Sequence, residues 1–283
     1  MRLRFWICSV AMSFSAIASA EPKVTVSPPW VRAGDPVLIT VTGSTVLPKG
    51  TASGEPLRFF ATKVGFQAVM AIPLDTKTSD KLAIDIDRVK LPVFVRVTAV
   101  KFAETKVTVD EDLADPSKIE GARIDRDNHA IIESAIKVRT DPQFTKPFYR
   151  PQGRVTSPFG EWRTFNDGYR SQHLGLDLFA REGAKVVSLN AGTVTLVRET
   201  FLAGRVVVIA HGAGIATAYF HLSKATVAEG DVVKQGAQIG LAGHTGRTTG
   251  PHLHISVRVP GGFVDPAAFF KLKLAPRAKA TTP

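Results

Sequence analysis

Histidine is concentrated in one part of this 283-residue chain. Six of its seven histidines follow position 172, and two of them form the tripeptide His252-Leu253-His254. On a β-strand, residues i and i+2 point to the same face, with Cα atoms about 6.5–7 Å apart. One imidazole of such a pair can bind a metal while the other reaches a group held by that metal. The tripeptide therefore indicates a metal site, although a histidine pair on a solvent-exposed face would give the same pattern.

A histidine and a carboxylate lie four residues apart in the segment His173–Asp177. On a straight strand this separation is about 13 Å, which is too far for two bonds of about 2.0–2.2 Å to one zinc ion. We expect the chain to bend at Gly175 and the flanking Leu174, Leu176 and Leu178 to face the core. The pair is weakly diagnostic by itself, since this spacing occurs by chance in many proteins.

His221 follows Tyr219-Phe220 at the end of a predicted strand, and alone it would be a hydrogen-bonded strand-end residue. Three protein ligands leave one zinc position open for water, whose pKa the metal lowers, and further imidazoles there can move protons. Five side chains are sufficient for such a hydrolytic site: His173, Asp177, His254, His252 and His221. His211 and His244 lie in predicted turns and are left out of this set.

The first twenty residues predict export. Arg2 and Arg4 precede the apolar run 5–18, and Ala18-Ser19-Ala20 has the small-x-small pattern that signal peptidase cleaves. The run is shorter than the roughly 20 residues of a membrane-spanning helix, so we expect a cleaved signal peptide over 1–20 and no integral membrane segment afterwards. The protein would then be periplasmic or extracellular. Because Cys8 is the only cysteine and lies within the run, any metal must be held by histidine and carboxylate ligands.

The elements that position these residues are predominantly strands. Period-two patterns rich in β-branched residues predict a small antiparallel sandwich over 21–110 and a compact antiparallel sheet over 153–272. Residues 111–152 begin with an acidic run and permit one or two short helices, so we interpret them as a connector. The basic, Pro/Ala/Thr-rich tail 273–283 is predicted to be disordered. The fold class is therefore mostly β, and a length of 283 residues suits two domains.

Composition excludes several classes of protein. The 44% hydrophobic and 22% charged content argues against a disordered or polytopic membrane protein, and 23 glycines with 18 prolines disfavour an all-helical bundle. The formal net charge of +11 is compatible with a polyanionic partner. Export argues against nucleic acid and favours the acidic cell envelope, although a merely solvated basic surface would have the same charge.

Five segments occur in a characteristic order: V-T-S-P-F-G from Val155, H-L-G-L-D from His173, H-G-A-G-I-A-T-A-Y-F-H-L from His211, G-D-V-V-K-Q-G from Gly230 and T-G-R-T-T-G-P-H-L-H from Thr245. Over roughly 155–266 the chain resembles the lysostaphin-type zinc metallo-endopeptidases, which cut peptide cross-links of bacterial peptidoglycan. The resemblance implies that His173, Asp177 and His254 bind Zn²⁺, that His252 and His221 flank the reacting water and the scissile carbonyl, and that peptidoglycan peptide stems are the substrate.

The resemblance also raises expectations outside these five residues. Residues 21–110 look more loosely like the Ig-like domain that precedes the catalytic domain in some secreted members. An insertion, Glu161–Gln172, could form a wall of the substrate groove or cover it. Tyr169 or Asn166 could help to hold the developing oxyanion. Which of His221 and His252 accepts the water's proton is left open.

Two alternatives to a peptidase remain. Domains of this fold that lack zinc ligands can act as non-catalytic regulators of other cell-wall hydrolases, and metal content would separate that role from an enzyme. The segment 227–236 also resembles part of lipoyl or biotinyl carrier modules, but these need an acceptor lysine on a hairpin tip, and export argues against such a carrier. The complete set of five residues favours the endopeptidase.

Overall fold

The computed structural model describes residues 22–52, 55–77, 81–86, 93–115, 117–137, 141–166 and 168–275. The predicted signal peptide 1–20 and positions 276–283 of the predicted tail lie outside the described residues. Within those ranges, no helix combines the length and the apolar character that a membrane span requires.

The N-terminal strands form two sheets that share one core. The strands of these sheets are β1 (Lys23–Ser27), β2 (Trp30–Arg32), β3 (Pro36–Thr42), β4 (Gly50–Ala52), β5 (Glu55–Pro56), β6 (Phe60–Thr62), β7 (Gly65–Ala71), β8 (Lys81–Ile86) and β9 (Val93–Thr98), and β10 (Glu104–Val107) follows outside them. One sheet has the order β1-β3-β7-β6 and the other β2-β9-β8-β4-β5. Val31, Ile39, Met70 and Val95, from both sheets, are buried in the same cluster. This agrees with the predicted sandwich, while its assignment as Ig-like stays a prediction.

Two helices follow: α1 (Glu111–Ala114) and α2 (Ser117–Ile136). The second is longer than the short helices expected in this connector, and it is kinked at Glu120. Ile131 and Ala135 of α2 pack against Val206 and Val208. The helix therefore covers one face of the C-terminal sheet.

The C-terminal part is a large sheet with a smaller one packed beside it. The elements are β11 (Val155–Ser157), β12 (Trp162–Phe165), β13 (Arg170–Gln172), β14 (Leu176–Phe179), β15 (Lys185–Val187), β16 (Gly192–Thr200), β17 (Gly204–Gly212), β18 (Ile215–Leu222), β19 (Lys224–Ala225), β20 (Val232–Val233), β21 (Gln238–Leu241), β22 (His252–Val259), β23 (Gly262–Val264) and α3 (Pro266–Phe269). The large sheet has the order β11-β14-β22-β18-β17-β16-β20, with β23 paired to β22, and the smaller sheet has the order β15-β21-β19. Leu176, Val186, Ile239 and Ile255 fill the core that both sheets share. The prediction of a mostly β, antiparallel fold is confirmed.

A separate three-stranded sheet, β10-β12-β13, joins the N-terminal and C-terminal parts. The predicted insertion Glu161–Gln172 contains the β12–β13 hairpin, and β10 pairs with β12 in parallel, from Glu104 opposite Trp162 to Val107 opposite Phe165. The strand that ends the N-terminal part is thus hydrogen-bonded to the segment immediately before His173.

A second apolar cluster also bridges the two parts of the chain. It contains Leu38 and Phe60 from the N-terminal sheets, Val257 from β22, and Phe144 from the segment that precedes β11. The end of the described chain joins this cluster through Leu272 and Leu274, and the amide of Ala275 donates to Oε1 of Gln67 at 2.9 Å. The packed chain therefore extends two residues beyond Lys273, where the disordered tail was predicted to begin.

Candidate metal and catalytic site

Strand register brings the predicted ligands together. Asp177 on β14 lies directly opposite His254 on β22, in an antiparallel pair. His254 is also opposite Phe220 on β18, so His221 follows on the neighbouring strand. His173 lies just after β13, where its backbone N–H donates to the Glu161 carbonyl and its carbonyl accepts from Gly160 N–H, both at 2.8 Å. Residues that are far apart in sequence thus converge at one end of the large sheet.

The segment from His173 to Asp177 differs from the sequence-based prediction at one residue, Leu174. Leu176 and Leu178 are buried as predicted, but Leu174 is 39% exposed. Strand β14 begins only at Leu176, so the alternation that would turn Leu174 towards the core does not extend to it. The prediction for Leu174 was wrong, and His173 is placed by an irregular segment before the strand.

Three ligand atoms face one another at short distances. His173 Nε2 lies 2.9 Å from His254 Nδ1 and 3.1 Å from Asp177 Oδ1, and His254 Nδ1 lies 2.8 Å from the same Oδ1. All three residues are buried, and they are a group that could hold a metal ion.

The outer hydrogen bonds of the two rings determine where their protons lie. His173 Nδ1 is 2.8 Å from the carbonyl oxygen of Pro158, which can only accept, so Nδ1 carries the hydrogen. His254 Nε2 lies 3.0 Å from Oγ of Ser256, whose hydroxyl donates to the Leu174 carbonyl, so this nitrogen also donates. The two inward nitrogens are left as acceptors beside a carboxylate oxygen.

Three converging acceptors without a proton between them fit a cation. Around a tetrahedral zinc ion with ligands at about 2.0–2.2 Å, ligand atoms are about 3.3–3.6 Å apart. The three atoms here are 2.8–3.1 Å apart, so a small outward shift of the side chains would accommodate the ion. Burial lowers the pKa of His254 to about 4, so this ring is neutral near pH 7. Two neutral imidazoles and one carboxylate are a donor set that suits Zn²⁺.

His221 and His252 form the second half of the site. Their ring centroids are 4.9 Å apart, and His252 Nε2 lies 3.7 Å from Oδ1 of Asp177. His221 Nδ1 donates to the Thr245 carbonyl at 2.7 Å and His252 Nδ1 donates to the Gly250 carbonyl at 2.9 Å. Both Nε2 atoms are therefore free to accept a proton. Burial, together with the charges of His254 and His252, lowers the pKa of His221 to about 3, so its neutral form dominates at neutral pH.

The insertion contacts the loop that holds this pair of histidines. The Arg247 guanidinium stacks on Phe165 of β12, with Cζ 3.9 Å from the ring centroid. Arg247 belongs to the same loop as Thr245, which holds His221, and Thr248, whose Oγ1 lies 3.2 Å from His252 Nδ1. The β12–β13 hairpin thus packs against the loop that orients both rings.

The two candidates for the oxyanion donor have different surroundings. Both polar atoms of the Asn166 amide are engaged with Val109, because Oδ1 accepts from its N–H at 3.0 Å and Nδ2 donates to its carbonyl at 2.9 Å. Tyr169 is 37% exposed, and its ring lies beside Phe165. The structure therefore uses Asn166 to hold the segment that follows β10, and an oxyanion role for Tyr169 stays a prediction.

The remaining C-terminal histidines lie outside the cluster. His211 is fully buried, with Nδ1 2.9 Å from the Ala191 carbonyl and Nε2 2.8 Å from Oγ1 of Thr217. His244 is exposed and lies 3.1 Å from a carboxylate oxygen of Glu182. Leaving both out of the predicted site agrees with these positions.

Sequence reasoning missed the residues that contact the predicted ligands, among them an arginine. Arg163, within the insertion, donates from Nη2 to Oδ2 of Asp177 at 2.6 Å. An arginine fourteen positions before an aspartate has no local pattern that would reveal this contact, since it depends on how β12 and β14 are placed in space.

Comparison with known proteins identifies relatives of the C-terminal part. Residues 171–266 match peptidase family M23. The peptidoglycan DD-endopeptidase ShyB of Vibrio cholerae is 41% identical over 120 residues, which make up 42% of this chain and 28% of that protein. The DD-carboxypeptidase/endopeptidase Mpg of Neisseria meningitidis is 37% identical over 123 residues, 41% of this chain and 26% of that protein. The chain thus covers about a quarter of the length of these relatives.

A solved structure extends the similarity beyond this segment. The crystal structure of a Pseudomonas aeruginosa protein proposed to be a peptidase M23 aligns with 86% of this chain and 95% of its own, with a TM-score of 0.62 and 26% identity. The likeness therefore includes the N-terminal sheets as well as the C-terminal ones.

Proposed function

We propose that this chain, whose residues 171–266 match peptidase family M23, is an exported zinc-dependent endopeptidase that hydrolyses peptide cross-links of bacterial peptidoglycan. The observation that carries the proposal is the convergence of His173 Nε2, His254 Nδ1 and Asp177 Oδ1, with His221 and His252 beside them. Two relatives that match the same part of the chain are named peptidoglycan DD-endopeptidases, which supports the choice of substrate.

His173, Asp177 and His254 would hold the metal in this reaction. When bound, Zn²⁺ supplies a Lewis acid that polarises the scissile carbonyl and lowers the pKa of water. The three side chains are largely shielded from water, and the outer contacts to Pro158 and Ser256 keep the inward nitrogens unprotonated.

His221 and His252 would transfer the protons. Each ring has its Nδ1 hydrogen fixed on a backbone carbonyl, so its Nε2 is the atom that can accept a proton from the attacking water. One of the two rings takes that proton, and the other steadies the developing oxyanion or protonates the leaving amine. Because both rings are hydrogen-bonded to a backbone carbonyl in the same way, either of them fits either role.

The cellular setting follows from the substrate. Peptidoglycan lies outside the cytoplasmic membrane, so we propose that residues 1–20 direct export and that the enzyme acts in the periplasm or outside the cell. The formal net charge of +11 suits the acidic envelope. We further propose that residues 21–110 form an Ig-like domain, 111–152 a connector and 153–272 the peptidase domain.

The decisive experiment is mass analysis of muropeptides released from defined peptidoglycans. We expect the full chain to convert cross-linked dimers to monomers and a chelator to abolish this conversion, with restoration by zinc. The Asp177→Asn protein is the matched control. Release that is unaffected by chelation would contradict the zinc-dependent mechanism. A protein that binds no zinc and cuts no peptidoglycan would favour the alternative of a non-catalytic regulator.

A further inference from the structure

The two oxygens of the Asp177 carboxylate have different partners. Oδ1 faces His173 Nε2 and His254 Nδ1, whereas Oδ2 accepts the 2.6 Å hydrogen bond from Arg163 Nη2. A carboxylate held in this way offers one defined oxygen to a metal and cannot rotate to exchange the two. Arg163 therefore controls which lone pairs of Asp177 point into the site.

Arg163 is itself fixed by two polar side chains. Its Nη2 donates to Ser157 Oγ at 2.6 Å, and its Nε donates to Glu161 Oε2 at 3.3 Å. The Ser157 hydroxyl donates to the same Glu161 oxygen, which ties the two partners together. The guanidinium side chain is only 22% exposed, so these contacts are largely shielded from water. A planar fork with several donors can serve this number of partners at once, which a lysine ammonium on a flexible stem does less well.

The network continues into the N-terminal part of the chain. The second oxygen of Glu161, Oε1, accepts a 2.7 Å hydrogen bond from Oγ1 of Thr105 on β10. In the parallel β10–β12 pair, Thr105 is the register partner of Arg163. A path of direct contacts thus runs from Thr105 through Glu161 and Arg163 to Asp177.

We propose that Arg163 is a positioning residue for Asp177, and that β10 sets its position through Thr105 and Glu161, so that metal affinity depends on a strand from the N-terminal part of the chain. This rests on the proposed function only in taking the bound metal to be zinc. Thr105, Glu161 and Arg163 contact neither the metal nor the substrate in this scheme. They act through the orientation of one ligand.

The test is zinc affinity of the full chain, measured by competition with a chromophoric chelator. Removal of a contact that orients a ligand lowers metal affinity by about tenfold to a hundredfold, and we expect Arg163→Met to fall in this range. Arg163→Lys should recover part of the loss, because an ammonium can still reach Oδ2. Thr105→Val, which is isosteric and remote from the metal, should weaken binding about threefold to tenfold, whereas Thr105→Ser should bind as the wild type does.

Glu104→Gln is the matched control for damage to the small sheet. It removes the exposed 3.0 Å ion pair with Arg170 on β13, which joins the same three strands without contacting Glu161. We expect no change in zinc affinity, and thermal melting of the zinc-free proteins reports whether each variant is folded. If Arg163→Met fails to fold, Thr105→Val still decides the question.

Two results would overturn the inference: Arg163→Met or Thr105→Val binding zinc as tightly as the wild type, or Glu104→Gln weakening binding as much as Thr105→Val does. A wild type that binds zinc but leaves peptidoglycan intact would remove the proposed function and not this inference, because the affinity differences do not depend on turnover. A wild type that binds no zinc would remove both.

Discussion

Gly175 lies against the ring of His254, so closely that a Cβ at position 175 would be 2.6 Å from the ring's Cε1 and 2.7 Å from the carbonyl oxygen of Ile255. Real Cβ atoms are not found at such distances, and one of the neighbours is backbone in the middle of β22. Glycine is therefore required here by close approach, and the orientation of a proposed metal ligand depends on it.

We expect Gly175→Ala to displace His254 and to lower zinc content and peptidase activity together. Overpacking of this kind costs about 1–3 kcal/mol of stability, so the protein should still fold. Zinc content by mass spectrometry and thermal melting would measure the two effects. Gly121→Ala on α2, where an added Cβ meets nothing within 4 Å, is the control and should leave both unchanged or raise the melting temperature. Full zinc occupancy in Gly175→Ala would show that His254 tolerates the methyl group.

Replacement of His221 should separate metal binding from turnover. His221 has a φ of 58°, which asparagine tolerates better than most residues, so His221→Asn is preferable to alanine. We expect zinc content to be retained and kcat to fall about a hundredfold to ten-thousandfold, as for loss of a general acid or base. His254→Ala should instead lose zinc and activity together. If His221→Asn digested cross-linked peptidoglycan at the wild-type rate, His221 would not be a general acid or base in the reaction.

Acidification should destabilise the protein through His211. Burial lowers the pKa of His211 to about 4 from its ordinary 6.5, so on acidification the unfolded chain takes up this proton first. The free energy of unfolding should therefore fall between about pH 6.5 and pH 4, by up to about 3 kcal/mol for this group. Above pH 6.5 both states are neutral and the contribution does not change.

Urea unfolding of the wild type and of His211→Gln at several pH values would measure how much His211 contributes to the pH dependence of the free energy of unfolding. His221 and His254 also have lowered pKa values and act in the same direction, so the variant should lose only part of the pH dependence. His244→Gln removes an exposed histidine and is the matched control. Equal pH dependence in the wild type and in His211→Gln would contradict the assignment.

Phe144 should stabilise the N-terminal and C-terminal parts as one unit. It is 1% exposed and its ring packs edge-on against Phe60, with centroids 5.8 Å apart. We expect Phe144→Ala to lower the free energy of unfolding by about 3–5 kcal/mol while unfolding remains a single transition. Phe179→Ala, at a 53% exposed phenylalanine, should have little effect. Two resolved transitions in calorimetry, of which only one shifts, would show that the shared cluster does not couple the two parts.

Local patterns were sufficient to predict the strands and the residue types of the candidate site. Alternating residues revealed β1, β3 and the long strands of the C-terminal sheet, because the period of two is a property of each strand alone. The pair His252 and His254 was informative for the same reason, and both rings approach Asp177.

Which of these residues come together depends on the register between strands that are distant in sequence. That Asp177 lies opposite His254, or Thr105 opposite Arg163, is set by pairings across 77 and 58 positions, which no local period encodes. Leu174 was misplaced because the beginning of β14 depends on the hydrogen bonds that hold His173. The engagement of Asn166 with Val109 likewise required β10 to be placed first.

The parallel pairing of β10 with β12 has a practical meaning for dissecting this protein. A fragment beginning at residue 153, where a peptidase domain would naturally be cut, keeps β12 and β13 but removes the neighbour on one side of the hairpin. Its free backbone amides and carbonyls would be open to recruitment by other chains, as exposed sheet edges generally are. We expect this N-terminally truncated fragment to self-associate, so its behaviour would not represent that of the full chain.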